Sequence, residues 1–355
     1  LYSIIANGAS ISHAFTPKGR RRAECNSMSI AEEILNILVR ARSPVSGEAM
    51  ARELNVSRTA VWKGIGRLKE RGFQVEARPG VGYVVTGYPD KLLPELIQAE
   101  LDTEIVGSNV LCFDVVDSTN SQAKSRASAG MVEGTVLTAE EQTKGKGRID
   151  RAWVSPRGEN LLFSIILRPR LLPTQVFRLN MVASVSLVEA IEELTPLRPL
   201  IKWPNDVYIN NRKLAGMLTE FSGAADGIEY AIVGIGLNVN FDPSAYPTIS
   251  QPATSVRREL GKPVSRLELL RAFLKRFDYH YLRLKRGLDS DMRDLWNSRS
   301  MVIGKDVTIT SFDQVEHAKA LSVDEDGALI IENQKGERKR VICGDVSLRL
   351  SKPGQ

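Results

Sequence analysis

Cysteine and histidine are nearly missing from this 355-residue chain. The three cysteines (Cys25, Cys112, Cys343) lie far apart with no C-x-x-C pair, and the three histidines (His13, His280, His317) are equally scattered. That spacing excludes a disulfide scaffold and a structural zinc site, and it fits a reducing, cytoplasmic compartment. No stretch approaches the ~20 consecutive apolar residues that span a bilayer. Strong charge of either sign is missing too: 48 Lys+Arg against 42 Asp+Glu leave a net +6, which permits a polyanion partner without demanding one. With 43% hydrophobic and 25% charged side chains the composition is that of a soluble globular protein, not a disordered or collagenous one. At roughly 150 residues per domain, two or three domains are expected.

Residues 1–27 stand apart. They carry Lys18, Arg20, Arg21 and Arg22 without apolar periodicity, and Ile4-Ile5-Ala6 is too short for the apolar core of a secretory signal. The segment reads as a disordered or non-native extension ahead of Met28, or as a faintly transit-like leader.

From Ser29 a helical period begins, with Ile30, Ile34, Ile37, Leu38 and Ala41 on one stripe and Pro44 closing it. Ser46 is placed to cap a second helix, Gly47–Leu54, and Ser57 a third that runs to Arg71 and stops at Gly72. The runs Phe73–Ala77 and Tyr83–Thr86 flank Arg78-Pro79-Gly80-Val81-Gly82 and predict a hairpin. Three short helices followed by a hairpin make a winged helix-turn-helix over residues 28–88. Between Ser57 and Gly80 six basic residues face two acidic ones. Within the helix-turn-helix Gly47–Gly66 and just beyond it, Arg58, Thr59, Trp62, Lys63 and Arg67 form the expected DNA-binding face. Modules of this size also dock proteins, so the basic face alone leaves both partners open.

Tyr88-Pro89-Asp90 and Leu93-Pro94 read as a linker. A mixed-sheet α/β region then occupies residues 105–298, with strands expected at Asn109–Phe113, Val136–Glu140, Leu161–Leu167, Leu200–Lys202, Val207–Ile209 and Tyr230–Val239. Helices are expected at Phe177–Leu194 and Arg266–Lys285. Residues 301–352 hold four or five short β runs with turns at Asp326-Gly327 and Lys335-Gly336, which predicts a small β-barrel. The whole is a multidomain α+β protein.

Three stretches carry chemistry. In Gln142-Thr143-Lys144-Gly145-Lys146-Gly147-Arg148, followed by Arg151 and Trp153, two glycines permit close backbone approach while Lys146 and Arg148 bring positive charge, as a phosphate cradle requires. The pattern G-x-x-x-x-G-K-[ST] is absent, so it is not a Walker A loop. Lys202-Trp203-Pro204-Asn205-Asp206 forces a turn between two strands and precedes Lys213-Leu214-Ala215-Gly216. Asp117-Ser118-Thr119-Asn120 reads as a helix N-cap. Singly, each has an ordinary structural explanation: a surface turn, a solvated lysine, a cap.

Taken in order with Pro79-Gly80-Val81-Gly82-Tyr83 and Gly234-Ile235-Gly236-Leu237-Asn238, these motifs resemble the bifunctional biotin protein ligases that also act as biotin operon repressors, from about Ser29 to the C-terminus. The resemblance implies a central domain like that of class II synthetases and a C-terminal SH3-like barrel. It also implies a two-step reaction: biotin and ATP give biotinyl-5′-adenylate and pyrophosphate, and a lysine of a biotin carboxyl-carrier protein, such as that of acetyl-CoA carboxylase, then takes the biotin. By the same resemblance Ser118, Thr119, Asn120 and Gln142 surround the biotin head group. Lys146, Gly147 and Arg148 close over biotin and the adenylate phosphate, and Lys213 lies against the biotin carboxylate. Gly145, Trp153, Lys202, Asn205 and Asn238 join Lys146 and Arg148 on the ATP side, with Mg²⁺ carried by the nucleotide. Lys213, Arg148 and Asp206 are the expected catalytic set, Asp206 orienting the incoming lysine ammonium. Operator DNA and an adenylate-promoted homodimer are the implied partners.

Two departures stand out. The family loop reads Gly-Arg-Gly-Arg-x-Gly-Arg, whereas here Lys146 replaces the first arginine and Asp150 the next glycine. Lysine keeps the charge and loses the planar fork, so a more readily released adenylate is expected. The adenine-covering loop is expected at about Phe241–Ser255. The competing readings are a lipoate or octanoate ligase, whose own Arg-Arg and Gly-Gly-Gly motif is not found here, and a biotin-sensing repressor without ligase activity, against which intact Lys213, Arg148 and the Lys202–Asp206 turn speak.

Overall fold

The computed structural model describes residues 29–348 apart from 42, 149–150, 247–251, 312–313 and 343. The expectations for residues 1–27 and for Asp150 lie outside the described residues, as does the middle of the adenine-covering loop.

Helices α1 (Ile30–Arg40), α2 (Gly47–Glu53) and α3 (Arg58–Glu70) and strands β1 (Gln74–Arg78) and β2 (Gly82–Gly87) form the predicted winged module. Each helix starts where the sequence supplies a serine. Ser29 and Glu32 make a reciprocal capping box, and Ser46 and Ser57 accept from Ala49 N and Ala60 N at 3.0 and 3.1 Å. The apolar stripe closes around Ile34, Leu35, Met50, Val61, Ile65 and Leu68, all buried. Arg58, Thr59, Trp62, Lys63 and Arg67 stay exposed on α3, Trp62 at 67%.

The linker is not a loose tether. It contains α4 (Pro94–Gln98), and at the start of that helix Leu93 and Leu96 join the winged module's core while Leu92 and Ile97 join the core of the central domain.

That central domain comprises β3 (Val110–Val116), α5 (Thr119–Ser128), β4 (Val136–Gln142), β5 (Leu161–Leu167), α6 (Phe177–Leu194), β6 (Leu200–Lys202), β7 (Asp206–Ile209), β8 (Arg212–Ala224), β9 (Gly227–Leu237), α7 (Val256–Leu260), α8 (Arg266–Lys285) and α9 (Met292–Ser298). Its seven strands run in the order β3-β4-β5-β9-β8-β7-β6 and are antiparallel except for β3–β4, which α5 connects as a crossover. Every residue of β5 is buried, because α5 covers one face of the sheet and α6 with α8 the other. Between Ile209 and Tyr230, where the sequence suggests no strand, β8 runs for thirteen residues.

Five further antiparallel strands, β10 (Asp306–Ser311), β11 (Gln314–Val323), β12 (Leu329–Asn333), β13 (Arg338–Val341) and β14 (Asp345–Leu348), follow in the order β13-β12-β11-β10-β14. The ladder is linear among the described residues, so a closed barrel is not seen in its hydrogen bonding. Its residue Gly327 accepts the indole N–H of buried Trp203 at 3.0 Å. No described helix is long and apolar enough to cross a membrane.

Candidate active site

The C-terminal ends of β4 and β9, the N-terminus of α5 and the N-terminal half of β8 border a cavity of about 420 Å³. It is lined by Ser118, Thr119, Asn120 and Gln142 at one end, with Lys146 reaching the same helix, and by Arg148, Asp206 and Lys213 toward the other, Arg151 also standing in the wall. Four cations and one carboxylate therefore surround a space of ordinary ligand size, with neutral donors and acceptors behind them.

The neutral end is built by α5. Ser118 occupies the N-cap position with extended backbone, yet its side chain makes no capping bond. The capping explanation for this serine is thus corrected: the hydroxyl lines the cavity. Thr119 N donates to Gln142 Oε1 at 2.7 Å, which ties the helix start to the end of β4. Beside them, bonds from Gln122 and from the Ser118 N–H hold the Asp117 carboxyl below the usual carboxylate range.

The glycine loop folds back on itself like a small hairpin. Trp153 N donates to Gly145 O at 3.0 Å, Gly147 N donates to Arg151 O at 2.6 Å, and Lys146 bridges Ala152. Gly145 is required here, since a Cβ would lie 2.5 Å from the Trp153 carbonyl oxygen. The returning Trp153 ring lies flat over Gly236, where a Cβ would come within 2.5–2.8 Å of the indole. Its N–H is shielded from solvent without an acceptor among the described residues. Lys146 Nζ bonds Ser121 Oγ at 3.2 Å.

At the cationic end Lys213 Nζ is 2.7 Å from Asp206 Oδ1 and 5.7 Å from the Trp153 ring centre. The register of β7 on β8, Asp206 opposite Gly216 and Tyr208 opposite Lys213, brings them together across a bulge. Arg148 bonds Asn205 Oδ1 and the Gly344 carbonyl, each at 3.2 Å, so one guanidinium joins the β6–β7 turn to the C-terminal module. Asn205 spends its amide N–H on Met217 O.

Gly145 lines a second cavity of about 730 Å³ that adjoins the first and shares Lys146, Gly147, Arg148, Arg151 and Asn205 with it, whereas Lys202 lines neither, its ammonium resting 4.9 Å from the Tyr208 ring centre. Asn238 does line the site, but its amide is committed to Thr254 O and Asn160 Nδ2, so it shapes the wall. Arg151, read with the glycine loop, and Phe241 and Ala253, within the expected adenine-covering loop, were given no individual role and also line the cavity. Arg151 was legible from its place after the glycine loop. Ala253 was not, because only the pairing of residues 252–254 with Lys213 brings it there. Cys112, on β3 outside the cavity, has its thiol pushed by burial up to about 12, far from a usable nucleophile.

Comparison with known proteins points the same way. The biotin/lipoate A/B protein ligase family matches residues 112–239, a helix-turn-helix domain family matches 31–84, and the biotin protein ligase C-terminal domain family matches 302–349. The bifunctional ligase/repressor BirA of Bacillus subtilis is 34% identical over 305 residues, which is 86% of this chain and 94% of that protein. The Escherichia coli protein of the same name is 30% identical over 86% of this chain and 92% of its own length. Among solved structures, the biotin protein ligase of Aquifex aeolicus in complex with biotin and ATP is 32% identical, with a TM-score of 0.59, and covers 69% of this chain and all of its own. With all three modules present in the same order around a cavity of this make-up, the chain belongs to the biotin protein ligase family, in the form that BirA represents.

Proposed function

We propose that the chain condenses biotin with ATP to biotinyl-5′-AMP, transfers biotin to a lysine of a carboxyl-carrier protein such as that of acetyl-CoA carboxylase, and represses transcription through its winged helix. The observation that carries this reading is one cavity that joins neutral hydrogen-bonding groups around the start of α5 to Lys213, Arg148 and Asp206, with Lys146 and Arg151 also in its wall. A ureido ring offers two donors and one acceptor and suits Ser118, Thr119, Asn120 and Gln142. A carboxylate and a triphosphate repel one another, and Lys213, Arg148, Lys146 and Arg151 offset that repulsion and favour the charge of the transition state. Holding both reactants in line supplies much of the rate.

In this reading Lys213 exchanges Asp206 for the biotin carboxylate when the vitamin enters. Asp206, released, then attracts the acceptor ammonium, whose free pKa is about 10.4, and helps it lose a proton. Mg²⁺ would arrive on the triphosphate, whose oxygens and waters supply most of its ligands; Asp206 is the one carboxylate lining the cavity among the described residues.

We divide the work among residues 28–88 for operator DNA, 105–298, akin to class II synthetases, for adenylation and transfer, and 301–352 as an SH3-like barrel. Adenylate binding would favour a homodimer that sets two winged helices on two half-sites. The test is incubation with ATP, biotin and an isolated carrier domain, with mass spectrometry of both proteins. A biotinylated carrier lysine and bound biotinyl-AMP are expected. Lipoylation in a parallel incubation with lipoate in place of biotin would favour the lipoate-ligase alternative, and biotin binding without adenylate a pure sensor.

A further inference from the structure

We infer that Glu220, a residue on β8 outside the principal cavity, is a positioning residue that fixes which atoms the head-group end of that cavity presents as donors and which as acceptors. The inference rests on the reading of that end as the ureido pocket. Asn120 Nδ2 lies 2.9 Å from Glu220 Oε2 and 3.1 Å from Leu218 O, both acceptors only, so both amide hydrogens point that way. Asn120 Oδ1 is therefore turned toward Ser164, whose Oγ lies 2.6 Å away. Ser164 has one proton, and a contact that short onto a carbonyl oxygen takes it.

The 2.8 Å contact between Ser164 Oγ and Thr119 Oγ1 then needs a proton from Thr119. Gln142 Oε1, 3.1 Å from that hydroxyl, stays satisfied by the Thr119 backbone N–H. Each hydroxyl passes its proton toward the Glu220 side, and Thr119 Oγ1 is left with its lone pairs toward the cavity. The ligand atom that meets it must be a donor, such as a ureido N–H. The arrangement is buried, Thr119 and Asn120 at 4% exposure and Ser164 at 0%. Asn120 packs directly against Gly234, so its amide can turn in place but cannot move aside. Glu220 itself is half-buried beside Lys124, 3.7 Å away.

Glu220→Leu removes one of the two acceptors that hold the amide and leaves only the Leu218 carbonyl against its turning toward Ser164, and each turned amide frees Thr119 to donate; Glu220→Gln keeps an acceptor oxygen in place. The experiment measures biotin-dependent ATP–pyrophosphate exchange with biotin and with two cyclic carbamates, each having one ureido N–H replaced by oxygen. The unaltered chain should prefer biotin to one of these carbamates by about 100-fold, the cost of leaving a buried acceptor unpaired. Glu220→Leu should lower that preference at least about tenfold through the analogue's KM, with the KM for ATP unchanged, and Glu220→Gln should retain it. A Glu220→Leu enzyme with undiminished preference, or one that loses both substrates in equal proportion, overturns the inference alone. An unaltered chain with no biotin-dependent exchange overturns the reading of the pocket with it.

Discussion

Lys213 already holds a carboxylate before any substrate is present, and that fact sets the expectation for its partner. With Asp206 at 2.7 Å the ammonium is aimed across the cavity and loses little freedom when biotin replaces the aspartate. Asp206→Asn keeps the shape and removes the charge. It should slow transfer from preformed adenylate by about 100-fold, while adenylate synthesis, which we assign to Lys213 and Arg148, stays within about threefold. Single-turnover transfer to the carrier domain, run beside pyrophosphate exchange, checks this; equal loss in both steps would mean that Asp206 only shapes the site. At this scale the sequence was legible where residue type and neighbours coincide, as in the run from Lys202 to Asp206. It was misleading at Ser118, because a serine before a helix looks the same whether its hydroxyl caps the helix or faces a ligand. That Lys202 lies outside both cavities was not legible for a related reason: a strand's alternation decides which side a lysine takes, and three residues of β6 were too few to show it.

Elements are held to one another by a few buried ions that no local pattern announces. Arg266, wholly buried at the start of α8, donates to Glu140 Oε2 on β4 at 2.7 Å and to the Asp90 carbonyl at 2.8 Å, while Glu140 Oε1 accepts from Leu92 N at 3.0 Å. Helix, strand and linker thus meet on one guanidinium. Arg266→Met leaves Glu140 charged and unpaired in the interior and should cost about 3–5 kcal/mol, seen as a lower urea midpoint. A second contact gives a pH signature. Burial pushes the Glu133 carboxyl up, but Lys285, the Tyr281 hydroxyl and the Arg168 N–H together hold it below its ordinary 4.5. A depressed folded pKa contributes stability above the unfolded value and loses it as pH falls through the folded one. The stability difference between the natural chain and Glu133→Gln should therefore be full at neutral pH and shrink below about pH 4.5, as urea titrations at several pH values would show. Helices with strong periodicity and serine caps were readable in advance. Strand β8 was not, because its buried and exposed positions do not alternate where β7 and β9 flank it on both sides and then β9 alone.

At the scale of the molecule the modules are joined by shared apolar and polar contacts more than by tethers. The segment Leu92–Ile97 divides its apolar side chains between two cores, and residues 299–301 pair with Ile201 through bonds of 2.8 Å before the chain enters the C-terminal strands. The order of the three modules was visible from turn spacing and helical period; their docking was not, since it depends on single groups such as the Trp203 N–H. That indole is 2% exposed, stacks on Phe177 and donates to Gly327 O, so the turn carrying Asn205 and Asp206 leans on the C-terminal module. Trp203→Phe preserves most of the apolar contact and leaves the Gly327 carbonyl buried without its donor, at a cost of about 1–3 kcal/mol. Because that cost falls on the junction, the C-terminal module should melt ahead of the central sheet, splitting one calorimetric transition into two. Adenylate formation should drop in step with the early transition, since Arg148 reaches Gly344 from the same side. A variant that melts in one step at the unaltered temperature, with full pyrophosphate exchange, would show the junction to be held by its apolar contacts alone.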